Sequence, residues 1–182
     1  FPRYHYQQGG NAHDGNRMDT PSDILVTASP NGTLMRRGSS GQAPDADNTW
    51  NSSWDWIRQI NYLIENADRV SPRDVEVNQY IGEGYFFRAW VYYSMLVSYG
   101  DVPFITNVLG TSDEELYRSR NSRYDVAMGM IQDLDSAIVN LSWKGEGPAA
   151  GGGRLNKESA IVMKARVALF EGTWERYHSR AG

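Results

Sequence analysis

The strongest constraint on this chain is a long, nearly apolar stretch that stops at Tyr99-Gly100-Asp101-Val102-Pro103-Phe104. Ser71-Pro72 reads as a helix start, with serine as N-cap and proline at the first helical position, while Asp74 and Glu76 favour the positive end of the dipole. From there to Tyr99 one stripe holds Val77, Ile81, Gly84, Phe87, Val91 and Ser94, and another holds Tyr85, Ala89, Tyr92, Leu96 and Tyr99. Together they leave little polar circumference, which predicts a helix buried on several sides. Gly100 can take the left-handed C-cap conformation and Pro103 cannot continue a helix, so the stop is encoded twice.

Three more helices surround it in sequence. Trp50, Trp54, Ile57, Asn61 and Ile64 lie at helical spacing and predict a first helix from about Thr49 to Asp68. Asn61 interrupts that stripe and is expected to be a buried amide bonded to neighbouring backbone. A third helix over Tyr124 to Leu141 carries Tyr124, Ala127, Ile131, Leu134, Ile138 and Leu141, a narrow seam. After a glycine-rich link that composition predicts to be flexible, Asn156 caps a fourth helix with the stripe Ala160, Met163, Val167, Phe170 and Trp174. The fold class is therefore all-α, with tetratricopeptide-like helix pairs in an α-α superhelix or bundle and long irregular loops. Residues 48-182 form the helical part. Residues 1-47, rich in Gly, Asn, Asp, Ser and Pro, form an irregular N-terminal segment and a candidate ligand surface.

Composition removes several function classes. Lys and Arg total 18 against 22 acidic residues, a net charge of -4, which leaves no basic surplus for a nucleic-acid backbone. No apolar run reaches the roughly 20 residues needed to span a bilayer. Cysteine is absent, so thiolate metal sites and cysteine nucleophiles are excluded. The three histidines, His5, His13 and His178, lack ligand spacing, and neither a phosphate-cradling loop nor a Gly-x-Ser-x-Gly elbow is present. No metal and no cofactor are expected; Asp45 and Asp47 lack the rest of a calcium loop. Asp133 with Asp135, or Glu83 near Arg88, could serve acid and base roles in a helical glycoside hydrolase, but Glu83 on a nearly apolar helix and Asp133 beside the seam of the third helix read better as charges that pair between helices or cap backbone.

The polar residues ahead of the first helix have a different character. His13, Asp14, Asn31, Arg36 and Arg37, with Trp50 nearby, combine planar donors, carboxylate and an aromatic face. A polyhydroxylated ligand needs those groups, with hydroxyl pairs meeting Arg, Asn and Asp while a sugar's apolar face lies on a ring.

Several segments, in order, resemble a known family. Ile57-Arg58-Gln59-Ile60-Asn61-Tyr62-Leu63-Ile64, Gly82-Glu83-Gly84-Tyr85-Phe86-Phe87-Arg88-Ala89-Trp90 and Tyr99-Gly100-Asp101-Val102-Pro103-Phe104 are similar to segments of the SusD/RagB family of outer-membrane nutrient-binding lipoproteins. So are Ile131-Gln132-Asp133-Leu134-Asp135-Ser136-Ala137 and the pair Arg154-Leu155-Asn156-Lys157-Glu158-Ser159-Ala160 and Ala165-Arg166-Val167-Ala168-Leu169. The resemblance covers about residues 48 to 174 and implies a tetratricopeptide-like α fold, a non-catalytic role, and an oligosaccharide or peptide as ligand. It also implies a TonB-dependent outer-membrane transporter as partner and a lipid anchor holding the protein on the extracellular face of the outer membrane. It further implies a longer protein, with a signal peptide, a lipidated cysteine, an earlier helix and a large C-terminal portion outside this chain. Val26-Thr27-Ala28-Ser29 stands where some sugar-binding members carry aromatics, so a starch-type platform is not expected there. The rival expectation is a tetratricopeptide-like scaffold that binds protein or peptide partners in a concave groove.

Overall fold

The structure is a computed structural model that describes residues 47–70 and 74–178. Apart from Asp47 and Asn48, these fall in the second of two units into which the chain divides, Thr49–Gly182. Among the described residues four α-helices follow in order, α1 (Asn48–Asn66), α2 (Val75–Tyr99), α3 (Arg123–Asn140) and α4 (Lys157–His178). Short 3-10 turns lie at Ala67–Arg69, Glu114–Tyr117 and Gly147–Ala149. Extended pairing among these residues is confined to one bridge, Val102 with Asn121. The described residues are all-α, as their periodicities predict.

The start of α2 differs from expectation. Its N-cap is Asp74, whose carboxylate accepts the Val77 N–H at 2.8 Å, while Ser71-Pro72 lie outside the described residues. A carboxylate accepting an N–H at the positive end of a helix makes a charge-assisted cap. At the other end Gly100 has φ 72° and ψ -120°, and its N–H donates to the Leu96 carbonyl at 3.0 Å. The positive φ is as expected, but the ψ lies outside the left-handed helical well, in a region that only glycine enters at low cost.

α2 is buried on several sides. Of the expected stripes it buries Ile81, Gly84, Ala89, Val91, Tyr92 and Leu96, leaving Val77, Tyr85, Phe87, Ser94 and Tyr99 half-buried, and it also hides Gln79, Gly82, Phe86, Arg88 and Met95. Gln79 is wholly buried because its amide is used at both ends. Nε2 donates to Glu83 Oε1 at 3.0 Å and to the Leu155 carbonyl at 2.8 Å, and Oε1 accepts the Ser142 N–H at 2.9 Å. One side chain thus ties α2 to both ends of the 142–155 link. That link, predicted to be flexible, is a structured turn with Ala149 buried.

α3 packs between α2 and α4, which overturns the narrow seam. Tyr124 is 49% exposed and Ile131 and Ile138 are half-buried, whereas Val126, Ala127, Gly129, Met130, Asp133, Leu134 and Ala137 are buried. A helix gripped from two sides buries small and polar residues wherever neighbours come close, so the apolar period alone misplaces its faces. Gly129 shows how close: a Cβ there would stand 2.5 Å from the Phe104 ring, and one at Gly82 would stand 2.8 Å from Leu141 Cγ. α4 begins as expected, with Asn156 Oδ1 accepting the Ser159 N–H at 2.9 Å, and buries Ala160, Met163, Val167 and Glu171.

Tyr92, on α2, is fully buried, and its hydroxyl both donates to the Ile105 carbonyl at 2.9 Å and accepts the Ile105 N–H at 2.7 Å. Burial pushes this phenol above the ordinary tyrosine value, against the opposing pull of the Ile105 bond and the Arg88 charge. A raised folded-state pKa leaves stability intact below the ordinary value of 10.0 and removes it as pH climbs beyond that, because only the unfolded chain then ionises. Urea denaturation at pH 9 and pH 11 is therefore expected to show a loss at the higher pH that is smaller in Tyr92→Phe. An equal loss in both proteins would contradict this role for Tyr92.

Candidate functional site

Helical geometry sets up one wall of a groove. Trp50, Trp54 and Arg58 recur at steps of four along α1, so two indoles and a guanidinium share one edge at intervals of about 6 Å. The indoles meet edge to face, with centroids 5.4 Å apart; Trp50 also meets Tyr99 at 5.0 Å, and Trp54 meets Tyr92 at 6.5 Å. These contacts fix the rings against the end of α2, so the aromatic edge is preorganised.

The facing wall is the segment that follows Gly100. It has no regular partner strand, so its backbone groups are satisfied by side chains from α1 and α2. Asn61 Nδ2 donates to the carbonyls of Ile105 at 3.2 Å and Asn107 at 3.0 Å, Glu65 accepts the Val108 N–H at 2.6 Å, and Arg58 Nη1 donates to the Leu109 carbonyl at 2.6 Å. The expectation of a buried, backbone-bonded Asn61 is met.

Arg88 anchors the network. Its Nε and Nη2 grip both oxygens of Asp133 at 2.8 and 2.6 Å, while Nη1 donates to Asn61 Oδ1 at 2.9 Å and to the Thr106 carbonyl at 3.1 Å. Burial disfavours the Arg88 charge, but the Asp133 hydrogen bond and charge outweigh it and hold the guanidinium pKa above its ordinary value.

Between these walls, closed at one end by the Glu114–Tyr117 turn, lies a groove of about 370 Å³ lined by Trp50, Trp54, Arg58, Asn107, Glu115 and Leu116 among others. That volume is within the range of small-ligand sites. Glu115 is engaged by Arg118 at 2.6 Å and by Asn107 Nδ2 at 3.3 Å. Arg120 stands over the Trp50 ring, 5.7 Å from its centroid. Aromatic faces flanked by planar donors and a carboxylate suit a polyhydroxylated molecule. The carboxylates considered for acid-base chemistry are committed elsewhere, Asp133 to Arg88 and Glu83 to Gln79 and to Arg154 at 2.8 Å. Among the described residues no group of three or more His, Asp or Glu is gathered as a metal site.

Of the site residues expected from sequence, Trp50 lines this groove, while His13, Asp14, Asn31, Arg36 and Arg37 lie outside the described residues. Sequence reasoning missed Trp54 and Arg58 as groove residues. Trp54 reads as core filling because its period matches the buried stripe, yet the four-residue recurrence of Trp50, Trp54 and Arg58 was the available signal. Glu115 and Leu116 carry no such signal, since a 3-10 turn places them.

Sequential α-helices packed as neighbours, with a side-chain-pinned loop over the first two, define a tetratricopeptide-like helical module. Residues 20–169 match the model of a SusD-like family described as starch-binding and associating with the outer membrane. The chain belongs to the SusD-like family. It is 25% identical over 126 residues to a SusD-like protein of Formosa agariphila, covering 69% of this chain and 24% of that one. A SusD-like protein of Bacteroides fragilis shares its fold with a TM-score of 0.63 and 24% identity, over 89% of this chain and 29% of the other. A laminarin-binding SusD-like protein gives a TM-score of 0.61 and 25% identity, over 70% of this chain and 27% of that one. The chain thus spans 24% to 29% of the length of these relatives.

Proposed function

We propose that this chain is part of a non-catalytic, lipid-anchored protein on the extracellular face of the outer membrane that binds oligosaccharide and passes it to a TonB-dependent transporter. The observation that carries the reading is the family match over residues 20–169, whose description joins starch binding to the outer membrane. The carbohydrate-binding names of structural relatives, one of them laminarin-binding, support it. Within the chain, the α1 groove supplies the aromatic contact, with Trp50 and Trp54 as platforms. His13, Asp14, Asn31, Arg36 and Arg37 are assigned the polar contacts, on the chemistry of their side chains alone.

Isothermal titration of the full 182-residue chain against oligosaccharides and peptides tests this. Saccharide binding that weakens about tenfold or more in Trp54→Ala is expected, since stacking an apolar face on a ring supplies on the order of 1–2 kcal/mol. Binding confined to peptides would instead support a scaffold that recognises proteins.

A further inference from the structure

The charges around the α1 groove are unevenly paired. Glu115, the carboxylate in its lining, is paired with Arg118 at 2.6 Å, both side chains being partly exposed. Arg58, also in the lining and exposed, donates to the Leu109 carbonyl but has no carboxylate partner among the described residues. Arg120, exposed beside Trp50, reaches the Asp101 carbonyl at 3.4 Å, and it too has no carboxylate partner there. Arg58 lines the groove four residues beyond Trp54 on α1, and Arg120 flanks it from outside the lining, with its guanidinium over the Trp50 ring.

A neutral glycan would use the indoles and could offer the guanidinium groups only uncharged hydroxyl acceptors. A glycan with a carboxylate or sulfate on successive residues would use all four groups. Its ring faces would stack on Trp50 and Trp54, and its anions would meet the planar, two-pronged donors that suit carboxylate and sulfate best. We infer that the groove selects acidic oligosaccharides, uronate or sulfated, over neutral ones, with Arg58 and Arg120 as the selecting residues. This rests on the glycan-binding reading above and adds the charge class of the ligand.

The test compares pairs that differ only in charge. The full chain is titrated at low ionic strength with oligogalacturonate and its methyl ester, oligomannuronate and its methyl ester, a sulfated galactan oligomer and its desulfated form, and neutral laminari-oligosaccharides. At least one acidic member is expected to bind about tenfold more tightly than its uncharged form, as one additional charge-assisted hydrogen bond would produce. The ratio should shrink as salt rises. In Arg58→Gln and in Arg120→Gln, each checked for folding by its thermal melt, the ratio should fall towards one. Arg120→Gln is the safer variant, because its hydrogen bond to the Asp101 carbonyl is long. Equal or weaker binding of every acidic member, or a ratio that survives both substitutions, overturns this inference and leaves glycan binding intact. Failure to bind any saccharide overturns both readings.

Discussion

Arg88→Met is expected to destabilise the protein by about 3–5 kcal/mol, the effect of stranding one member of a buried ion pair. A domain of this size has on the order of 5–15 kcal/mol of net stability, so the variant should be partly or largely unfolded at room temperature. The partners are almost completely enclosed, with side chains 5% and 7% exposed. Removing the guanidinium leaves the Asp133 carboxylate, the Asn61 Oδ1 and the Thr106 carbonyl without their donor. Urea denaturation of Arg88→Met, Asp133→Leu and the double variant separates these costs. The double variant should recover part of the loss, because no charge remains stranded. It should not recover all, since Asn61 and Thr106 still lack a donor and each unsatisfied group costs about 1–3 kcal/mol. A single-variant loss below about 1 kcal/mol would show that the pair does not anchor the loop.

Arg123→Met should have the second largest effect, about 3 kcal/mol, by the same logic at a second buried ion pair, where α2, α3 and α4 come together. Arg123 opens α3, and its guanidinium donates to Glu171 on α4 at 2.9 Å and to the Leu96 carbonyl of α2 at 3.2 Å while lying 4.1 Å from the Trp174 ring centroid. Three helices therefore meet on one side chain. Its own backbone N–H donates to Asp101 Oδ1 at 3.0 Å, a bond that survives the substitution. Asp101→Ala removes only that cap and is expected to cost about 1 kcal/mol. Hydrogen exchange should report faster opening of the last turns of α4 in Arg123→Met and not in Asp101→Ala. Equal effects of the two variants would mean that the cap, not the guanidinium, holds these helices together.

Much of the helical framework was legible in the residues. The α1 stripe, the stop at Gly100, the Asn156 cap and the buried Asn61 each follow from local rules about period, caps and the need to pair buried polar groups. The site was less legible. Its facing wall is an extended segment without periodicity, and a 3-10 turn within the same loop brings Glu115 beside Asn107, a placement that no apolar period announces. The faces of α3 were misplaced for a related reason: an apolar period identifies one contact face, whereas α3 touches two neighbours.

The stop at Tyr99-Gly100 shows where sequence ends and tertiary structure begins. Backbone chemistry alone required the helix to end there, because only glycine tolerates φ 72° readily and Pro103 lacks a donor. Where the chain went next was decided by burial. Tyr92, Arg88 and Asn61, on two separate helices, had polar groups to satisfy away from water, and the carbonyls of Ile105, Thr106 and Asn107 satisfied them. That pairing laid the loop across α1 and made a groove beside Trp50 and Trp54. Local propensity sets which residues are helical, but only the folded arrangement brings distant donors and acceptors within about 3 Å of each other, and the groove exists because it does.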